Sequence, residues 1–133
     1  MINFTDFFAK GLKDTLRLKN NGGISHNGPW ISLTHNTLLD RWHVNDFSSV
    51  DYTISVDFDT KSKEIVKFLV TATADDAHIV EYARNSTNID IIEVDAIVNN
   101  SYVDVIVTPK ISKVTGAKVL YTAQYFQNQN PLT

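Results

Sequence analysis

The segment from Asp51 to Asp59 alternates strictly between apolar and polar residues. Tyr52, Ile54, Val56 and Phe58 are apolar, and the residues between them are small, polar or acidic. Because successive side chains on a β-strand point to opposite faces, this period of two predicts a half-buried strand. A chain assembled from such strands buries one face of each sheet, so the pattern favours an all-β fold.

The same style continues as far as Phe126, with turn-rich pieces at the spacing of roughly 8 to 12 residues that is typical of sandwiches and barrels. Between these turns lie five further segments rich in Val, Ile, Thr, Tyr and Phe: 65–73, 77–84, 89–98, 102–108 and 118–126. We predict an antiparallel β-sandwich, jelly-roll-like or immunoglobulin-like. Alternation predicts these further core-facing residues: Val66, Phe68, Val70, Ala72, Ile92, Val94, Ala96, Val98, Val103, Val105, Val107, Val119, Tyr121, Ala123 and Tyr125.

The N-terminal segment shows a different pattern. Thr5 is a suitable N-cap, and the apolar residues after it recur mostly every three to four positions, which predicts a short amphipathic helix. The following run 20–23 is Asn-Asn-Gly-Gly, which is typical of a helix end. The apolar side chains expected to bury against a partner subunit, or equally against the chain's own sheet, are Phe4, Phe7, Phe8, Leu12 and Leu16.

These patterns divide the chain into residues 1–23 as an N-terminal helix and joint, 24–126 as the β-domain and 127–133 as a polar tail. Residues 36–47 fit a helical turn, a bulged strand or a packed loop equally well. The run 89–94 begins apolar on both faces, which predicts that the helix or another subunit covers it. The tail is expected either to fray or to become ordered against a neighbouring subunit.

Composition excludes several classes of function. The 133 residues contain no cysteine, which excludes disulfides, thiolate catalysis and Cys-based zinc sites. A net charge of −3 argues against a nucleic-acid partner, since phosphate binding needs clustered Lys and Arg. No apolar run reaches the roughly 20 residues that cross a bilayer, and no secretory signal is recognisable, so we expect cytoplasmic synthesis without membrane insertion. No cofactor is expected.

The densest group of chemically versatile side chains lies between residues 30 and 43, and it has three interpretations. Its spacing matches no metal-ligand motif, so no metal is expected. Exposed Trp rings could stack on sugars while polar neighbours bind hydroxyls. Burial statistics favour the third interpretation, in which the Trp residues are packing anchors. The candidate residues for contact with a glycan or a subunit are Trp30, His35, Asp40, Arg41, Trp42 and His43, and Asp46 lies close to them.

Paired carboxylates occur at Asp57 with Asp59, at 75–76, and at Glu93 with Asp95. Residues two apart share one face of a strand, so such a pair could serve as an acid and a base or as calcium ligands. Alternation places them toward solvent, where carboxylates keep a strand soluble. No hydrolase, phosphate-loop, zincin or EF-hand motif is present, so we expect a protein that is not an enzyme.

Three segments of the sequence are distinctive: His26–Thr37 (HNGPWISLTHNT), Leu39–Ser48 (LDRWHVNDFS) and Tyr125–Leu132 (YFQNQNPL). They resemble small virion structural proteins of tailed phages that infect marine cyanobacteria. The resemblance implies a virion protein that forms or decorates the particle surface, at the capsid, neck, tail or a fibre. It implies other virion proteins and copies of itself as partners, with a host surface glycan as an alternative ligand, and it transfers no catalytic residue.

Overall fold

The computed structural model describes residues 14–17, 23–27, 31–32, 35–110 and 116–131, the first three ranges as backbone. These ranges contain β-strands and no helix, and therefore no helix that could span a membrane. The strands are β1 (Asp14–Arg17), β2 (Gly23–Asn27), β3 (Ile31–Ser32), β4 (Thr37–His43), β5 (Phe47–Asp57), β6 (Lys63–Ala72), β7 (Ala77–Ser86), β8 (Ile92–Asn99), β9 (Tyr102–Pro109) and β10 (Lys118–Gln127). Their pairings are antiparallel, which confirms the all-β prediction.

Seven strands form the larger sheet, six of them in the order β1-β2-β10-β5-β6-β7. Strand β10 pairs along its whole length with β5 on one side, and with β2 and β3 on the other. Strands β5, β6 and β7 follow one another through tight turns, closed by hydrogen bonds such as the 3.0 Å bond from the Phe58 N–H to the Ser62 carbonyl. The tenth strand therefore lies inside the sheet, between strands that come much earlier in the sequence.

Strands β4, β9 and β8 form the smaller sheet, with β9 in the middle. The register of β4 against β9 shifts between Leu38 and Asp40, which is a β-bulge with Leu39 as the extra residue. A turn at residues 44–46 then leads into β5. Of the three conformations that fit the sequence of residues 36–47, the structure adopts the bulged strand.

The hairpin between β8 and β9 turns through Asn100 and Ser101, whose φ angles are 53° and 66°. Two consecutive residues with positive φ form the type I′ turn, whose twist matches that of the flanking strands. The Ser101 carbonyl accepts a 2.9 Å hydrogen bond from the Val44 N–H, so this hairpin also contacts the turn after β4.

The inward faces of the two sheets share one hydrophobic core. Alternation predicted it well, since most of the residues expected there are buried, and the others, Phe58, Ala72, Val94 and Val98, pack against it while remaining partly exposed. At its centre the Tyr52 and Phe68 rings stack, with centroids 4.9 Å apart and an interplanar angle of 13°. Stacked aromatic rings of this size contribute a large part of the burial energy of a small core.

The N-terminal helix is not supported where the structure describes that region. Asp14–Arg17 is strand β1, and Leu16 pairs with Ser25 of β2 instead of lying on a helical stripe. Gly23, which was expected to belong to the joint, opens strand β2 (Gly23–Asn27). Phe4, Phe7, Phe8 and Leu12 lie outside the described residues.

The apolar start of the run 89–94 is covered by the chain itself. Ile91 and Ile92 are fully buried in the shared core, and Ile89 packs partly against it. Neither the predicted helix nor a second subunit is needed to bury the first two. The polar tail begins with an ordered contact, because the Asn128 side chain donates to the Val44 carbonyl at 2.6 Å.

Candidate functional site

The bulged strand β4 separates the residues that the sequence grouped as one site. Asp40 and Trp42 point into the core, with only 3% and 4% of their surfaces exposed. Arg41 is exposed and His43 half-buried on the opposite face, and His35 is exposed before the strand begins. Trp42 is therefore a packing anchor, as burial statistics favoured, and cannot stack on a sugar in this fold. Trp30 lies outside the described residues.

The inward pair forms a polar bridge between the two sheets. The Tyr52 hydroxyl of β5 donates to Asp40 Oδ2 at 2.9 Å, and the Tyr125 hydroxyl of β10 donates to the same oxygen. Trp42 Nε1 donates to the Tyr52 hydroxyl at 2.9 Å, and the Arg41 backbone N–H donates to Asp40 Oδ1. A buried carboxylate is tolerated only when it is hydrogen-bonded. Because Asp40 belongs to the smaller sheet and both tyrosines belong to the larger one, these hydrogen bonds fix the position of one sheet relative to the other.

Burial and the nearby Asp40 charge raise the pKa values of the tyrosines in this network. Burial is the largest cause for Tyr52, Tyr121 and Tyr125, and the Asp40 charge is the next. The hydroxyls therefore stay protonated and keep donating hydrogen bonds across the ordinary pH range. The network is structural, since its groups face the core.

The outward pair belongs to a different surface, on the solvent side of the smaller sheet. Arg41 forms a two-point contact with Asp104 of β9, from Nε to Oδ1 at 2.6 Å and from Nη2 to Oδ2 at 3.1 Å. These hydrogen bonds are the main cause of the raised Arg41 pKa, followed by the charge attraction. The Arg41 guanidinium lies over one face of the Tyr102 ring, 5.9 Å from its centroid, and the His43 and Tyr102 rings meet edge to face, with centroids 4.9 Å apart.

The pairing of β8 with β9 adds residues to this surface. Asn99 lies opposite Tyr102, and Ile97 lies opposite Asp104. We call this surface the small-sheet face; it consists of Arg41, His43, Ile97, Asn99, Tyr102 and Asp104. It combines a half-exposed aromatic ring with hydrogen-bond donors and acceptors, which is the composition of a recognition surface.

A second polar cluster lies where β6 and β7 meet the start of β8. The Glu64 side chain is fully buried, and it forms a 2.8 Å ion pair with Arg84 Nη1. The backbone N–H groups of Ile91 and Ile92 each donate to its carboxylate at 3.1 Å, and the Ser86 hydroxyl donates as well. These contacts compensate the buried charge and connect one end of the smaller sheet to the larger one.

An open cleft of about 370 Å³ lies beside this cluster, lined by Glu81, Arg84, Asp90, Glu93, Val94 and Lys110. The pKa of Glu81 is lowered, mainly by its hydrogen bond from Arg84, and the pKa of Asp90 is lowered, mainly by its hydrogen bond from Ser86. Both groups are therefore carboxylates at neutral pH. Neither is suited to act as a general acid, which would need a raised pKa.

The carboxylate pairs face solvent, as alternation predicted. Asp57 pairs with Lys63 at 2.7 Å, and Asp59 Oδ1 accepts the backbone N–H groups of the 59–62 turn, which lowers its pKa. Asp76 accepts from the Thr73 hydroxyl at 2.9 Å, and Asp95 accepts from the backbone at residue 96. Within the ranges that the structure describes, no three His, Asp or Glu side chains converge into a group that could hold a metal ion.

Sequence reasoning missed Tyr102 and Asp104 of the small-sheet face, as well as its Ile97 and Asn99, and it missed the buried pair of Glu64 and Arg84. Alternation already placed the first two on the face opposite Val103 and the other core residues of β9. Glu64 lies in phase with the buried Val66, so its position gave a signal that a charge was buried. Nothing local indicated Arg84 as its partner, because β6 and β7 must pair before the two meet.

No protein-family model and no curated protein matches the chain. Among solved structures, the tailspike protein gp49 of Acinetobacter baumannii bacteriophage Fri1, a capsular polysaccharide depolymerase, is similar with a TM-score of 0.50 and 12% identity. The match covers 98% of this chain and 23% of that one. The tailspike protein of Acinetobacter phage vB_ApiP_P1 matches with a TM-score of 0.43 and 10% identity, over 86% of this chain and 24% of that one. This chain thus shares its fold with part of the Fri1 tailspike and spans about a quarter of its length.

Proposed function

We propose that this chain is a non-enzymatic β-sandwich module of a phage tail spike or tail fibre. The observation that carries the proposal is the likeness to the Fri1 tailspike, which takes in 98% of the chain. The resemblance of three segments to virion structural proteins of cyanophages supports the same assignment to a phage particle. A tail position is preferred to the capsid or neck because the structural likeness is to a tail protein.

The depolymerase activity of that tailspike is not carried over, since this chain spans only 23% of its length. Glycoside hydrolysis needs one protonated and one ionised carboxyl group at the scissile bond. The lowered pKa values of Glu81 and Asp90 keep these two carboxylates of the cleft ionised. Asp57 and Asp59, the alternative acid and base, are committed to an ion pair and a turn. These contacts support a role without catalysis.

The module would work through contacts with copies of itself and with other virion proteins. The N-terminal residues Phe4, Phe7, Phe8, Leu12 and Leu16 remain our predicted anchor, and the strand β1 that contains the last of them is at the end of the larger sheet. On the solvent side of that sheet, Leu69 of β6 and Val80 of β7 lie opposite each other and are exposed, and neighbouring exposed apolar side chains favour protein contacts.

The test uses purified phage particles and the purified protein. An antibody raised against the chain should label the tail in electron micrographs, and a reconstruction of the particle should place the two sheets there. The purified protein should release no reducing ends from bacterial capsular polysaccharide. Absence of the chain from purified particles would refute the virion role, and release of reducing ends would refute the non-enzymatic one.

The second candidate is a carbohydrate-binding or host-receptor-binding module. The observation that favours it is the small-sheet face, where Tyr102 is 44% exposed between Arg41 and His43. The site predicted around Trp42 and Asp40 does not support it, because both side chains are buried.

A further inference from the structure

We infer that the small-sheet face binds a neutral glycan, with a pyranose ring stacked on the exposed part of Tyr102 that Arg41 does not cover and its hydroxyls bound by Arg41, His43 and Asn99. This inference rests on the second candidate function, whose site and ligand class it names. Glycan binding would be an activity of the isolated chain, in addition to any structural role that the chain has in the particle.

The Tyr102 ring is both exposed and held in place. It follows directly on the type I′ turn at 100–101, which fixes its backbone, and the His43 ring, which meets it edge to face at 4.9 Å, restrains its rotation. A pyranose presents an apolar C–H face that packs on an aromatic ring while its hydroxyls stay available for hydrogen bonds. A ring that is already ordered loses little conformational entropy on binding, which favours affinity.

The polar groups around the ring are ordered in the same way. Arg41 donates two of its five N–H groups to Asp104. Among the described residues, none accepts a hydrogen bond from the other three N–H groups, and the side chain is half-exposed. His43 Nδ1 accepts the Asn45 backbone N–H at 3.0 Å, so the neutral imidazole carries its proton on Nε2 as a donor. The Asn99 carboxamide adds a donor and an acceptor opposite the ring. Sugar hydroxyls, which donate and accept, match this mixture.

The charge of the surface selects the class of glycan. The Arg41 cation is compensated by Asp104, which accepts two of its hydrogen bonds. Glu93 and Asp95 of β8 are exposed on the same side of the sheet, and the whole chain carries a net charge of −3. An acidic polysaccharide would meet carboxylates without an uncompensated cation to offset them. The distribution of charge therefore favours neutral hexoses.

The test is affinity electrophoresis of the purified full chain through gels that contain dextran, mannan or galactan, with alginate and hyaluronate as acidic probes. The variant Tyr102→Ala removes the ring, and Tyr102→Phe keeps the ring without its hydroxyl. Tyr82→Ala is the matched control, because Tyr82 is 48% exposed on the solvent side of the other sheet. Circular dichroism and thermal unfolding confirm that the variants are folded.

We expect at least one neutral polysaccharide to retard the wild type and neither acidic one to do so. Tyr102→Ala should weaken that binding at least tenfold, while Tyr102→Phe and Tyr82→Ala should stay within threefold of the wild type. Retardation by none of the neutral polysaccharides, or equal losses from the two alanine variants, would overturn the inference. Because the purified protein is measured, this failure is distinct from absence of the chain from the particle.

Discussion

Replacing Asp40 with alanine tests whether the buried polar bridge holds the two sheets together. The change removes the acceptor of the Tyr52 and Tyr125 hydroxyls and of the Arg41 backbone N–H. Each buried donor left without a partner costs about 1–3 kcal/mol. Tyr52 keeps its bond from Trp42, but its own proton and that of Tyr125 lose their acceptor. We therefore expect a loss of about 3–5 kcal/mol, which is a large share of the roughly 5–15 kcal/mol that stabilises a domain.

The measurement is urea unfolding followed by tryptophan fluorescence and by circular dichroism, which should give one coincident transition. The matched control is Asp57→Ala, which removes an exposed aspartate whose ion pair with Lys63 is worth about 0–1 kcal/mol. Tyr125→Phe should be intermediate, because it removes one donor and leaves the carboxylate bound by Tyr52. A loss from Asp40→Ala below about 1 kcal/mol, equal to the control, would show that the bridge does not order the sheets.

Three further predictions concern stability. Glu64→Ala should cost about 3–5 kcal/mol in urea unfolding, since it leaves the buried N–H groups of Ile91 and Ile92 without their acceptor and Arg84 with Glu81 as its remaining carboxylate; a cost within error of zero would contradict this role of Glu64. Unfolding by alkali should begin above roughly pH 10, because the raised pKa values of the three buried tyrosines stabilise the fold fully below the unfolded value of about 10 and progressively less above it. Tyrosinate absorbance should then rise at the same pH at which the circular dichroism of the fold is lost. If all five tyrosines of the chain ionise while the protein is still folded, the predicted link between tyrosine burial and alkaline unfolding is wrong. Ser101→Gly should stabilise the protein by about 0.5–1 kcal/mol, because its φ of 66° strains any residue with a Cβ; thermal unfolding measures the gain, and a lower melting temperature would contradict it.

The inward faces of the strands were predictable because they depend only on local alternation. The rule placed Tyr52, Phe68 and Tyr121 in the core without knowledge of which strands pair. The same rule would have divided Asp40 and Trp42 from Arg41 and His43, had residues 36–47 been recognised as a strand. The β-bulge at residue 39 obscured that pattern by adding one residue to the repeat.

Pairings between distant segments were not predictable from one sequence. The small-sheet face exists because β9 brings Tyr102 and Asp104 beside β4, which lies far earlier in the chain. The N-terminal error has a related cause. The spacing around Leu16 is compatible with a helical stripe, but pairing with β2 satisfies the backbone of Asp14–Arg17 as a strand, and strand formation depends on such neighbours more than on intrinsic preference.

The position of β10 inside the larger sheet has a consequence for how the nascent protein matures. Strands β5, β6 and β7 can pair as soon as they leave the ribosome, because short turns join them. The edge of β5 that β10 covers stays bare until residues 118–127 have been synthesised. Pairing between strands so far apart in the sequence slows folding. Until β10 pairs with it, the unpaired edge of β5 can form hydrogen bonds with the β5 edge of another nascent chain. On a polysome translating this message, crowded neighbours would compete with the chain's own tenth strand.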